Sequence, residues 1–404
     1  MPRRRNSRSA EPVVDKISTL PDEILCRILS FLTTKEAVST SILSKRWTHL
    51  CHRVLNLRFT NIKLNAVKSI LRFNQSVYSV LVSRQTTGSN SINEFHLDIQ
   101  YSNPNHGYRH GFPHVVKWIN LFVQRNLEHL HLHINGIHTK LPISIFTCKT
   151  LVSLYLCGFY VEFSSNGFRF PSLKTLHLVT ITFQEVKDFV LLIAGCPILE
   201  DLEVYDLRCN NVLDSLTIQE YKSLSFPRLT RARIRGIVCD FPAIAFSNSE
   251  SLSIDTIIYT NEKLNQLKTP CDDIYIFHNL THLEMQEYWH TVLRLLHLCP
   301  KLQNLKLGQK FTVAMTTWNE EDDHESYAEP EFVPQCLLSN FRTCTIEEFL
   351  GRTQEFLLAA YILRNAKNLQ TMTIKCYRRM LKLENRLSQC LKASATCQLS
   401  VYIE

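Results

Sequence analysis

The sequence predicts an α/β protein with three parts: an N-terminal three-helix module, an irregular leucine-rich solenoid with a parallel sheet on its concave face, and a C-terminal capping unit. Two patterns predict this class. Apolar residues recur at helical spacing near the start, and an apolar-x-x-apolar-x-apolar motif recurs through the middle. The chain has 404 residues, of which 45% are hydrophobic and 20% charged, so it can form a large core and wholesale disorder is excluded.

The N-terminal module spans residues 15–60. Pro21 fits a first helical position, followed by Asp22 and Glu23 at the positive end of the helix dipole. The segment 33–36 reads as a capping box that starts a second helix, and the segment 41–47 reads as a third helix that ends at a tryptophan. The module has more apolar residues than a three-helix core of its size can bury. This excess predicts either a partner surface or packing against the rest of the chain.

Three segments of this module resemble the plant F-box: Leu20-Pro21-Asp22-Glu23-Ile24-Leu25, Ile28-Leu29-Ser30-Phe31-Leu32 and Leu43-Ser44-Lys45-Arg46-Trp47. The resemblance implies that the module docks to a Skp-type adaptor, which is tethered to a cullin scaffold. It also implies which positions make or support that contact. These are Leu20, Pro21, Ile24, Leu25, Ile28, Leu29, Val38, Leu43 and Trp47.

The solenoid is predicted over residues 90–318. The motif starts at Leu127, Leu151, Leu173, Leu199 and Leu229, at intervals of 22 to 30 residues, close to the ~20–29 residue period of leucine-rich repeats. Each motif predicts a strand whose alternate apolar side chains point inward, and stacked coils pair these strands in parallel. Two return segments, 183–192 and 290–298, read as helices that end before Cys-Pro.

The polar positions between the core residues define a predicted target-binding surface. Two clusters leave alternatives open. His129, His131 and His133 share one face of a strand, so they form either a metal site or, as we expect from their ~7 Å spacing, a solvent-facing or partner-facing row. Arg231, Arg233 and Arg235 form either a solvated strand face or a site for an acidic partner segment. The residues predicted to bind a target are His131, Tyr155, His177, Glu203, Tyr205, Arg231, Arg233, Arg235 and Glu284.

Residues 319–332 form an acidic loop that reads as a boundary, and residues 333–404 form the C-terminal unit. In this unit a strand at 343–346, a helix at 354–365, a repeat-like segment at 368–374 and a final strand at 399–403 are predicted. The Cys-Leu-Leu-Ser and Ala-Ser-x-x-Cys segments resemble the FBD domain found at the end of plant F-box proteins with leucine-rich repeats. A βαβ-like coil of this kind would cap the open end of the array.

The 14 cysteines and the basic tail limit the remaining choices. No cysteine belongs to a C-x-x-C pair, so we expect buried, reduced thiols and no metal or other cofactor. The net charge is +8, of which Arg3, Arg4, Arg5 and Arg8 supply half. Residues 1–14 are a predicted disordered basic tail, interpreted as a solvated tail or as a nuclear-import patch. No apolar run approaches the roughly 20 residues of a membrane-spanning helix, so we expect a cytoplasmic or nuclear protein.

Neither a G-x-S-x-G, nor a P-loop, nor a dinucleotide fingerprint occurs, and no cysteine stands out as a nucleophile. We therefore expect a non-enzyme. The order of parts implies the substrate-recognition subunit of a Skp–cullin–F-box ubiquitin ligase, which would hold an unidentified target protein. The alternatives are a leucine-rich-repeat scaffold that acts outside a ligase, and a nuclear nucleic-acid binder.

Overall fold

The computed structural model describes residues 16–86, 91–162, 167–211, 226–236, 246–254, 277–286, 289–308, 332–376 and 381–403. The predicted basic tail and the acidic loop up to residue 331 lie outside these ranges. The chain divides into two units, Met1–His131 and Leu132–Glu404. Within the described residues, no helix is both long and apolar enough to cross a membrane.

The first unit begins with three short helices. They are α1 (Asp22–Ser30), α2 (Thr34–Ser39) and α3 (Lys45–Arg53), with a 3-10 turn at Thr40–Ile42 before α3. The capping box is confirmed, since the Thr33 side chain accepts from the Glu36 N–H and the Glu36 carboxylate accepts from the Thr33 N–H. Two details of the sequence prediction are wrong. Pro21 is the extended residue before α1, and the third helix begins at Lys45 behind a Ser44 cap, so Trp47 lies near its start.

A βαβ unit follows the three helices. Strand β1 (Asn56–Leu64) and strand β2 (Glu94–Tyr101) pair in parallel, and the 20-residue helix α4 (Val67–Thr86) connects them. The short helix α5 (Pro104–His106) and helix α6 (Phe112–Val123) lead to β3 (His129–Asn135), in which the division between the units falls. The core of this unit is aromatic, with the Phe95 and Phe122 ring centroids 4.5 Å apart.

The second unit contains one long parallel sheet. Its strands follow the order of the chain: β5 (Ser153–Cys157), β7 (Thr175–Val179), β9 (Asp201–Tyr205), β11 (Arg231–Arg235), β12 (Ser251–Ile254), β13 (His282–Gln286), β14 (Asn304–Gly308), β15 (Thr343–Phe349), β16 (Thr371–Cys376) and β17 (Gln398–Ile403). Most of these strands have the predicted alternation, as in β7, where Leu176 and Leu178 are buried and their neighbours are not, whereas β12 buries Leu252, Ser253 and Ile254 in succession and β17 has no fully buried residue. The predicted parallel array is therefore confirmed.

The C-terminal unit continues this sheet rather than forming a separate layer. Strand β15 takes its register from β14 through the pairs Asn304–Thr343 and Lys306–Thr345, and β16 and β17 follow in parallel. The helices of this half are α8 (Trp289–Leu298), α9 (Gln335–Ser339), α10 (Thr353–Asn365) and α11 (Leu381–Ser388). The FBD-like region thus supplies three more strands to the repeat array.

A second, smaller parallel sheet was not predicted. It has the strand order β10 (Arg208–Asn211), β8 (Thr182–Glu185), β6 (Phe159–Val161) and β4 (Thr139–Lys140). This sheet corrects the reading of 183–192 as wholly helical, because Phe183 to Glu185 belong to β8 and helix α7 begins at Val186 (Val186–Ala194).

Candidate functional site

The three N-terminal helices enclose a small apolar core. Leu25 and Leu29 on α1 are 0% and 1% exposed, and they pack with Trp47 and Leu50 of α3. Arg46 fixes the segment before α1. Its guanidinium donates to the carbonyls of Ser18 and Leu20, both at 2.6 Å, and forms an ion pair with Asp22 at 2.7 Å. The module is therefore held together by its own apolar core and by the contacts of Arg46.

The same module keeps an unusual number of apolar side chains in solvent. Ile24 and Ile28 lie one helical turn apart on α1 and are 45% and 43% exposed. Ile42 in the 3-10 turn is 88% exposed, and Leu43 beside it is 63% exposed. An accumulation of exposed large apolar residues on a small unit is typical of a protein interface. We call these side chains the exposed apolar set: Ile17, Ile24, Ile28, Phe31, Val38, Ile42 and Leu43.

The structure divides the predicted adaptor-binding residues into two groups. Pro21, Ile24, Ile28, Val38 and Leu43 are exposed, and a partner can reach them. The other four belong to the interior. The buried ones are Leu25, Leu29 and Trp47, and Leu20 is a partly buried residue packed against them. These four are placed to support the helices rather than to touch a partner, and the contact itself stays a prediction.

Ile17, Phe31 and Ile42 were not in the prediction, although they are among the most exposed apolar residues, at 57%, 71% and 88%. Phe31 is the C-cap of α1 and Ile42 lies in a 3-10 turn, so neither belongs to a helical period. The signal that could have found Ile42 is the apolar pair Ile42-Leu43 in a segment otherwise rich in Ser and Thr.

The second surface is the polar face of the long sheet, formed by the side chains that alternate with the buried ones. Strand register places Tyr155, His177, Glu203 and Arg233 in one row across β5, β7, β9 and β11. Within this row the Tyr155 and His177 rings lie 6.1 Å apart, and the His177 Nδ1 lies 3.8 Å from the Glu203 carboxylate. The predicted target residues of the second unit therefore share one face.

Tyr205 and Arg235 are paired in the next row of this face, and Glu284 lies on β13. His131 is the one predicted target residue that belongs to the first unit. Its ring stacks on that of His96, with centroids 3.8 Å apart and an interplanar angle of 13°.

The three arginines of β11 face carboxylates from neighbouring strands. Arg231 pairs with Asp201 at 2.8 Å, and Arg233 lies 3.9 Å from Glu203. Arg235 spans β12 to reach Glu284 at 3.0 Å. A partner carboxylate at this strand would have to compete with these internal partners. The site for an acidic partner segment therefore stays a prediction, and it requires a partner that can displace these internal carboxylates.

The ion pairs continue into the FBD-like strands. Lys306 lies 2.9 Å from Glu284 and 2.9 Å from Glu347, and Lys375 lies 2.7 Å from Glu347. Burial alone would raise the pKa of Glu284, but hydrogen bonds from Lys306 and Ser253 outweigh it and hold the pKa below its usual value. Glu347 behaves in the same way, with Lys375 and Lys306 as its donors. We call this chain of alternating charges, Arg235–Glu284–Lys306–Glu347–Lys375, the ion ladder.

Glu347 and Lys375 were missed by the sequence analysis, because the FBD-like segment was read as a cap. The alternation within β15 and β16 was the available signal.

The described residues hold no group of three or more His, Cys, Asp and Glu side chains placed to bind a metal ion. The cysteines that the structure describes form no disulfide bonds. Burial raises the pKa of Cys196, Cys336 and Cys344 to about 12, so these thiols stay protonated and are poor nucleophiles.

Comparison with known protein families gives three matches in chain order. Residues 17–59 match the F-box domain, residues 115–238 match the repeats described as "FBD-associated F-box protein At5g56370, LRR repeats", and residues 329–374 match FBD. Among Arabidopsis thaliana proteins, the FBD-associated F-box protein At4g10400 is 30% identical over 96% of this chain and 100% of its own length.

Two further Arabidopsis thaliana proteins match over nearly the whole chain. FBD-associated F-box protein At3g52670 is 29% identical, over 95% of this chain and 97% of its own length. F-box/FBD/LRR-repeat protein At4g00160 is 28% identical, over 95% of this chain and 93% of its own length. With the helical module, the repeat sheet and the three terminal strands found in that order, this chain belongs to the family of F-box proteins with leucine-rich repeats and an FBD domain.

Proposed function

We propose that this protein is the substrate-recognition subunit of a Skp–cullin–F-box ubiquitin ligase. In this role the F-box docks a Skp-type adaptor, and the polar face of the sheet holds a target protein for ubiquitination. The observation that carries the proposal is the exposed apolar set. Seven large apolar side chains, 40% to 88% exposed, lie on a module that already has its own closed core. A second polypeptide that covers them is the simplest source of stabilisation.

The proposed division of labour needs no catalytic group in this chain. Ubiquitin transfer takes place on other subunits, and this protein raises the local concentration of the target's lysines near them. The burial of Cys196, Cys336 and Cys344 makes these three thiols unsuited to be the reactive cysteine that a thioester-forming ligase needs. We also propose a cytoplasmic or nuclear location, which the scatter of the cysteines without C-x-x-C pairs and the arginine-rich start support.

The polar face suits a protein better than a nucleic acid. Binding to a nucleic acid requires basic side chains that can pair with phosphates and displace the counterions of the nucleic acid. Arg231, Arg233 and Arg235 lie within 4 Å of carboxylates, and Lys306 lies between two of them. Alternating charges and aromatic side chains on one face suit the mixed chemistry of a folded protein surface.

The adaptor contact can be tested by co-purification of the full chain with a Skp-type adaptor. The test variant carries Ile24→Asp and Ile28→Asp. Its matched control carries Leu71→Asp and Val82→Asp on α4, where the side chains are 51% and 56% exposed. Two carboxylates in a desolvated interface should lower adaptor affinity by about 100-fold or more, whereas the control should bind as the parent does.

A parent that captures no adaptor would favour the scaffold that acts outside a ligase, and equal capture of parent and test variant would exclude Ile24 and Ile28 from the contact. Affinity purification of the parent and the test variant from proteasome-inhibited cells, followed by mass spectrometry, then reports the binding of the adaptor and of the target separately. The test variant should lose the adaptor and keep the target, because the two surfaces are formed by different elements.

A further inference from the structure

The long sheet ends at β17. This strand pairs with β16 through six consecutive residues, from Thr371–Gln398 to Cys376–Ile403, without a bulge. Among the described residues no strand lies on its other side. The Gln398 N–H donates to the Gln370 carbonyl at 2.9 Å, so Gln398 faces β16. By the alternation of a parallel ladder, the backbone groups of Leu399, Val401 and Ile403 point away from β16, toward the open edge.

The inward-facing apolar side chains of the sheet form a row across the strands, which is buried at β16 and partly exposed at β17. Met372, Ile374 and Cys376 are 0%, 0% and 1% exposed. Their register partners are Leu399, Val401 and Ile403, of which the first two are half-buried and Ile403 is 57% exposed. Each coil of a solenoid buries the row of its neighbour, so the row at β17 has the exposure expected of a strand that lacks a neighbour.

The edge also lacks the features that usually keep sheet edges from pairing. Gln398-Leu399-Ser400-Val401-Tyr402-Ile403 contains no charge, no proline and no glycine. Strand β1, which begins the order of its sheet, differs. It carries Arg58 and Lys63, and its register shifts between Phe59 and Ile62 around Asn61, which has a φ of 57°. A bulge and charges within the strand both discourage edge pairing, and residues 398–403 have neither.

We propose that β17 pairs antiparallel with β17 of a second copy of this chain, with the twofold axis at Val401. In this register Val401 faces Val401, Leu399 faces Ile403, and Ser400 faces Tyr402. Facing residues of an antiparallel pair share a side of the sheet, so the apolar row meets an apolar row and the polar row meets a polar row. The residues whose backbone groups point to the edge are the ones that exchange hydrogen bonds.

A second copy is the occupant that this strand fits best, because the strand complements itself. The symmetric pairing brings no like charges together, and it extends both exposed apolar rows at once. The resulting dimer joins the two sheets edge to edge. It does not involve the F-box, so it is independent of the adaptor contact.

Sedimentation equilibrium of the full chain over about 1–100 μM tests this proposal, a range that covers ordinary homodimer affinities. The parent should form a concentration-dependent dimer. Ile403→Lys should raise the dimer dissociation constant at least tenfold, because symmetry places two lysines in the interface, each against a Leu399. The matched control is Ile143→Lys, an isoleucine 62% exposed elsewhere in the same unit, which should leave the constant unchanged.

Val401→Pro supplies a second, independent test. It removes an N–H that points to the open edge, so the pairing with β16 should survive and the thermal unfolding midpoint should stay close to that of the parent. The dimer should nevertheless be lost, because the two central hydrogen bonds disappear. A parent that stays monomeric throughout, or a dimer unaffected by both variants, would overturn the proposal. If the parent is monomeric, an extended segment of a target protein becomes the alternative partner for the β17 edge.

Discussion

Ile28 and Leu29 are neighbours on α1 with opposite surroundings, and this pair gives the sharpest test of the F-box description. Leu29 is 1% exposed and belongs to the core that includes Leu25 and Trp47. Truncation of a fully buried leucine to alanine costs about 2–5 kcal/mol, so Leu29→Ala should destabilise the module by about 3 kcal/mol. Ile28 is 43% exposed, so Ile28→Ala should cost the free module far less.

The exposure of Ile28 also sets the expected loss of adaptor affinity in Ile28→Ala. Full burial of an isoleucine side chain contributes about 1.5–3 kcal/mol, and 43% of that remains to be gained when a partner covers Ile28. Ile28→Ala should therefore lower adaptor affinity by about 1 kcal/mol, which is roughly fivefold.

Two measurements separate the effects. Hydrogen exchange of the α1 and α3 amides in the full chain reports the stability of the module, and calorimetric titration reports adaptor affinity. Leu29→Ala should accelerate exchange across both helices, whereas Ile28→Ala should leave exchange close to that of the parent and weaken binding. If the two substitutions changed exchange equally, the division into supporting and contacting residues would be refuted.

The remaining predictions concern the sheet. Glu284 and Glu347 have pKa values held below the usual range. The ion ladder should therefore contribute its full stabilisation of the fold above pH ~4.3, and this stabilisation should be lost as the pH falls through the lowered folded-state pKa values. Glu284→Gln should lower the free energy of unfolding at pH 7 by about 1 kcal/mol or less, and denaturant titrations should show the difference from the parent shrink as the pH falls through the lowered pKa values of the two carboxylates; a constant difference would contradict the pairing. Gly158 has a φ of 85°, and an added Cβ would lie 2.7 Å from the Ile134 carbonyl oxygen, so Gly158→Ala should cost about 2 kcal/mol or more. Gly167→Ala is the control, with a φ of 67° but no atom within 4 Å of the added Cβ, and equal losses in the two variants would exclude the close contact as the cause.

The repeat strands could be predicted because each carries its own local signal. Leu176 and Leu178, or Leu305 and Leu307, alternate with polar residues, and period-two alternation specifies both a strand and its buried face. The small sheet lacked such a signal, since β4 has two residues and β6 has three, too few for a period to emerge.

The arrangement of charges could not be predicted, because it depends on register between distant segments. Asp201 and Arg231 are 30 positions apart in sequence, and only the pairing of β9 with β11 brings them to 2.8 Å. Trp47 shows a similar limit at the F-box. The helical pattern located the residue, but the Ser44 cap, not the apolar spacing, decides where α3 begins.

The ion ladder has a consequence for the chemistry of its central lysine. Hydrogen bonding to Glu284 and Glu347 raises the pKa of Lys306, so its ε-amine stays protonated at neutral pH. An acceptor amine must lose that proton before it can attack a thioester, and an ammonium group shared between two carboxylates gives it up reluctantly. Under the proposed function, this pairing should keep Lys306 a poor acceptor of ubiquitin while the lysines of a bound target are modified.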